Sequence, residues 1–74
     1  MTLVRDKKLL IQFGQHLRDL RHENGLSQEE LANDADIPIN QIGRIERGEN
    51  NPSLSTLSAI AKALKMRLNE LVDF

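Results

Sequence analysis

His16 and His22 stand six positions apart on what reads as one helix. That spacing is neither three nor four, so the two rings cannot readily share a metal ion. Glu29 and Glu30 are adjacent carboxylates, and adjacency on a helix points them apart rather than into an acid–base pair. The chain has no cysteine, which excludes disulfides and thiolate metal sites, and no glycine-rich loop is spaced to cradle a phosphate. The sequence therefore reads as a non-enzyme that needs neither cofactor nor metal. A different chemistry is available further along. At 100° per residue, Asn40, Arg44 and Arg47 share one side of a helix whose other side carries Ile42, Ile45 and Glu46. An Arg guanidinium can fork onto O6 and N7 of guanine, and an Asn carboxamide onto N6 and N7 of adenine, both displayed in the DNA major groove. Ile39 and Gln41 flank this face, and Ile39 is placed to touch a thymine methyl. The bland alternative is an ordinary solvated helix face.

Such a face needs elements that hold it. Leu31, Ala32 and Ala35 give one short helical pattern, and Ile42, Ile45 and Glu46 give another, with Ile37 in the corner between them. Helices this short must pack across a tight turn with a small residue, Ala32, at the crossing. That is the pattern of a helix-turn-helix over about residues 28–47, whose second helix enters a major groove. Before it, Leu10, Phe13, Leu17, Leu20 and Asn24 predict a first helix from about Asp6 to Asn24, stopped by Gly25. Ser27 and Glu30 form a capping box that opens the second helix. Pro38 opens the third, which Gly48 ends, and Glu49 to Pro52 form a loop. Ser53 caps a fourth helix with Leu54, Leu57, Ile60, Ala61 and Leu64 inward. A last short helix holds Leu68, Leu71 and Val72. The whole is one domain, residues 1–74.

Taken in order, Phe13-Gly14, Leu17-Arg18, Leu20-Arg21, Gly25-Leu26-Ser27-Gln28-Glu29-Glu30-Leu31-Ala32, Ile45-Glu46-Arg47-Gly48 and Asn51-Pro52-Ser53-Leu54 resemble the Cro and lambda-repressor-like (Xre) DNA-binding family. The resemblance runs from about Phe13 to Val72 and implies an all-α fold of five helices. It also implies sequence-specific binding of operator DNA as a homodimer, and Gln28 as a phosphate contact. Three positions depart from the family pattern. Asp36 stands in the turn where Gly is common, Lys65 and Arg67 stand where Gly and Ser are common, and Gly43 lies inside the recognition helix. Gly43 admits two explanations, close approach of its backbone to DNA or relief of a clash within the protein.

Ser27 and Gln28 open the helix expected to cross the sugar-phosphate backbone, where helix N-terminal amides and polar side chains bind phosphate. For Ser27 the alternative is capping alone. Arg47, Asn50 and Asn51 are further candidate phosphate contacts. Arg21 lies on the apolar side of helix one and Glu46 on the apolar side of helix three. Two opposite charges pointing into one small core should meet, and the resemblance implies the same structural salt bridge.

The bulk properties set limits. Seventy-four residues make a thin core, for which a partner subunit would be a natural support. Leu64, Met66, Leu68, Leu71, Val72 and Phe74 are the expected dimer contacts, the alternative being that Phe74 folds back on its own domain. No apolar run approaches a membrane span, and the absence of cysteine fits a reducing cytoplasm. With only Phe13 and Phe74 aromatic, there is no stacking platform for single strands, leaving double-stranded DNA as the target. The net charge is −1, which is unusual for a DNA binder. Residues 26–37 carry −4 of it, while residues 1–25 carry +2. Charge-driven affinity should be weak, leaving more to base contacts and dimerisation. With no effector domain after the helical core, the chain resembles small stand-alone regulators, including restriction-modification controllers, with RNA polymerase a possible further partner. The rival reading is a protein-interaction module, such as an antitoxin that holds a toxin through Leu3, Val4, Leu9, Ile11 and Phe74.

Overall fold

A computed structural model describes residues 5–74; Leu3 and Val4 of the rival apolar surface lie outside them. Five helices follow in order: α1 (Lys7–Glu23), α2 (Gln28–Ala35), α3 (Ile39–Glu46), α4 (Leu54–Ala63) and α5 (Leu68–Leu71). Each start has a local cause. The Asp6 carboxylate accepts the Leu9 N–H at 3.0 Å and caps α1. At α2 the reciprocal bonds of a capping box are present, Glu30 N–H to Ser27 Oγ at 3.0 Å and Ser27 N–H to Glu30 Oε1 at 2.9 Å. Pro38 precedes α3, and Ser53 Oγ accepts the Thr56 N–H at the start of α4.

α3 packs against both α1 and α2, while α4 packs against α2 and α5. Leu17, Leu31, Ile42, Ile45, Ile60 and Leu71 are fully buried where these helices meet. Gly14 makes the α1–α3 crossing possible. A Cβ there would lie 2.5 Å from the carbonyl oxygens of Ile45 and Glu46, so no larger residue fits without separating the helices. Gly48 turns the chain out of α3 at φ +74° with its Cα facing Ile11.

The three departures from the family pattern have visible consequences. Asp36 takes the left-handed conformation, φ 57° and ψ 46°, that the turn demands. Lys65 takes it too, at φ 58°, to leave α4. Arg67 then starts α5, its N–H donated to Glu70 Oε1 at 2.9 Å. The side chain three residues on thus accepts the N–H of Arg67, one half of a capping box, although Arg67 has no side-chain acceptor to return. The departure at Gly43 belongs to the α3 face described below.

Two expectations need correction. Leu54, read as inward, is 70% exposed. It is the first residue of α4, where helical side chains reach back past the helix start, and its phase puts it at the edge of the Leu57–Ile60–Leu64 face. Among the expected dimer contacts, Leu64 and Leu71 are buried in the chain's own core, and Met66 and Leu68 are half-buried against it. α4 and α5 pack on each other, so Leu64 and Leu71 offer no free surface, and Met66 and Leu68 offer only part of theirs. Val72 and Phe74 remain exposed.

Candidate nucleic-acid interface

The exposed side of α3 begins with Ile39, 46% exposed, and continues through Asn40, Arg44 and, just past the helix end, Arg47. Gln28, at the start of α2, faces them across a shallow groove of about 300 Å³ lined by Gln28, Ile39, Asn40, Gly43, Arg44 and Arg47. The groove exists because α2 and α3 meet at a tight turn, which sets the N-terminus of one beside the outer face of the other. Gln41 is half-buried and does not line it. Gly43 forms its floor. A Cβ at Gly43 would stand 3.1 Å from Arg47 Nη1 and 3.7 Å from Gln28 Oε1, the ends of two flexible side chains. The missing side chain thus lets these two polar groups close over the helix.

Beneath the groove lies the buried carboxylate of Glu46. Arg21 donates to it twice, Nε to Oε2 at 2.6 Å and Nη2 to Oε1 at 3.0 Å. Gln28 Nε2 donates to Oε1 at 3.0 Å and Arg18 Nε at 3.5 Å. Arg21 spends a further N–H on the Leu26 carbonyl oxygen at 2.9 Å, which fastens the turn into α2. Burial pushes the Glu46 carboxyl up, but the bonds from Arg21, Gln28 and Arg18 and the Arg21 charge outweigh it, holding the group below the usual carboxylate range. α1, α2 and α3 are therefore tied at one anion. The network positions the α3 face and leaves Asn40 and Arg44 unengaged by it.

Arg18 and Gln28 were not read from sequence as partners of Glu46. Arg18 lies three residues before Arg21 on the same helix side, which was a usable signal. Gln28 gave none, since its approach depends on how α2 meets α3.

The remaining candidates divide. Ser27 is exposed, with its hydroxyl engaged in the α2 cap. Arg47 pairs with Glu49, Nε to Oε2 at 2.9 Å and Nη2 to Oε1 at 3.3 Å. Asn50 is half-buried in the following loop. Asn51 lines a different concavity, about 480 Å³ and mainly apolar, formed with Leu9, Leu10, Gln12, Phe13, Pro52, Leu57, Val72 and Phe74. There Phe74 lies 5.6 Å from the Phe13 ring and stacks on His16 at 5.4 Å, yet stays 52% exposed. Among the described residues no helix is long and apolar enough to cross a membrane.

Residues 17–71 match the helix-turn-helix family HTH_3. The control protein C.BamHI of Bacillus amyloliquefaciens is 41% identical over 63 residues, 84% of this chain and 78% of its own length. The immunity repressor of Bacillus phage phi105 is also 41% identical, over 80% of this chain but only 41% of the repressor. Among solved structures, the restriction-modification controller protein C.AhdI from Aeromonas hydrophila superposes with a TM-score of 0.82 at 44% identity, over 84% of this chain and 94% of that one.

Proposed function

The chain belongs to the helix-turn-helix family HTH_3, and from that premise we propose that it is a transcriptional regulator binding double-stranded operator DNA in a sequence-specific way. The observation that carries this reading is the α3 face. Asn40 and Arg44 project beside Gln28 from a helix locked from beneath by Glu46. Rigid backing is what a base-reading side chain requires, because freedom lost on binding weakens the contact. In this reading Asn40 and Arg44 contact base edges, flanked at the helix start by Ile39 and, from beside the groove, by Gln41. Ser27, Gln28, Arg47, Asn50 and Asn51 hold phosphates, all within a single helix-turn-helix DNA-binding domain, residues 1–74. The relatives named as control proteins and repressors support the same assignment.

The test is the base preference of the wild type against Arg44→Ala. A lost bidentate contact costs about 1–3 kcal/mol of discrimination. Preference should relax at one base pair per half-site. Unchanged affinity and unchanged preference would remove Arg44 from the reading set.

The working unit is a homodimer on a near-palindromic operator. Val72, Phe74 and Leu9 around the apolar concavity support it, since about half of each residue's surface is left exposed by the described residues. The same surface favours a second reading, a toxin or other protein as main partner. A small toxin gene beside this one would favour that reading, whereas a methyltransferase and nuclease pair would favour a controller.

A further inference from the structure

A third concavity adjoins the α3 groove, around the C-terminal end of α3. Arg5, Lys7, Ile11, Arg47, Gly48 and Glu49 line it. Arg5 Nη2 donates to the Glu49 backbone oxygen at 2.8 Å, which draws the start of α1 against the loop after α3. Gly48 permits this closeness, because a side chain there would collide with the Ile11 backbone. Three cations from two distant parts of the sequence thus line one concavity with a single carboxylate, Glu49, which Arg47 engages through both of its oxygens. The pairing raises the Arg47 pKa, through its hydrogen bond and then the Glu49 charge, and lowers that of Glu49.

Arg47 borders this concavity and the α3 groove, so the cluster is continuous with the α3 face. Any duplex seated against Asn40 and Arg44 brings its backbone past Arg47, and Arg5 and Lys7 stand on the far side. We propose that Arg5, Lys7 and Arg47 form a phosphate-binding site for the DNA backbone just outside the bases read by α3. The inference rests on the DNA-binding reading and extends it to the start of α1, a segment the helix-turn-helix does not include. Phosphate replaces Glu49 as the partner of Arg47, while Arg5 and Lys7 add charge without sequence preference. This places cations where a chain of net charge −1 needs them.

The experiment uses the duplex that the wild-type chain selects from a random pool, made once with flanks of about one helical turn, ten base pairs, and once trimmed to the selected bases. Binding to each is measured against salt for the wild type and for the double variant Arg5→Ala, Lys7→Ala. Each lost phosphate contact shallows the log–log salt slope by about 0.9, so the variant should lose about two per bound chain. Between 50 and 200 mM salt the wild type should then lose roughly tenfold more affinity per chain than the variant. Trimming the flanks should weaken the wild type and leave the variant little changed, with base preference the same in both. Equal salt slopes and equal flank dependence, with a selected site intact, overturn the flanking site alone. A wild type that selects no sequence defeats the DNA reading and the flanking site with it.

Discussion

Glu46 is the residue on which this molecule turns. Its two oxygens accept from Arg21, Arg18 and Gln28, with the side chain wholly buried. Removing one partner of a buried ion pair leaves an uncompensated charge, at a cost of about 3–5 kcal/mol. Arg21→Ala or Glu46→Ala should therefore largely unfold so small a domain, as read by a urea melt. A Glu46→Ala melt matching the wild type would contradict the burial described. The same network sets an acid limit. The folded carboxyl titrates below its unfolded value of about 4.3, so its stabilisation is complete above that pH and fades as pH falls through the lower folded value. Wild-type stability should decline below about pH 4, whereas Glu46→Gln, weaker at neutral pH, should show a shallower decline. Helical phase alone places Arg21 and Glu46 in one core, and their pairing follows from charge. Gln28 as a third partner is invisible in one dimension, because it depends on the approach of α2 to α3.

At the scale of elements, caps and stops were the most legible features. Ser27 with Glu30, Pro38, Gly48 and Ser53 each act within a few residues, and each stands where its chemistry implies. Leu54 was misleading because periodicity counts a first-turn residue as if a neighbour covered it. The α4–α5 junction was only partly legible. Lys65 and Arg67 marked it as a departure from the family pattern, but not that Lys65 would carry the left-handed turn at φ 58°. A non-glycine residue there costs about 1–2 kcal/mol, part of which glycine returns through its greater unfolded entropy. Lys65→Gly should raise the melting temperature by a few degrees, on the scale of about 4–8 °C per kcal/mol, and a lowered value would deny the strain. Gly14→Ala runs the other way. Its methyl meets backbone at 2.5 Å, so overpacking of about 1–3 kcal/mol is expected in a denaturant melt.

At the scale of the molecule, two unlike surfaces stand out among the described residues, the polar groove along α3 and the apolar concavity bordered by Leu9, Val72 and Phe74. The sequence located the first well, since its residues lie within twenty positions of one another. It located the second less well. Leu64 and Leu71 have the right composition for an interface but are enclosed by α4 and α5, while Leu9, from the other end of the chain, joins the patch. If two copies pair there, sedimentation should show a wild-type dimer at tens of micromolar or on DNA, and Phe74→Asp a monomer that still folds. Wild type monomeric under both conditions would remove the homodimer. The most direct test of the central claim is selection of bound duplexes from a random pool by the wild-type chain. The account predicts enrichment of one near-palindromic site, its half-sites one turn apart at about 34–36 Å or a multiple of it, with Arg44→Ala relaxing one base pair in each half. A pool that emerges from repeated selection with no enriched sequence would contradict it.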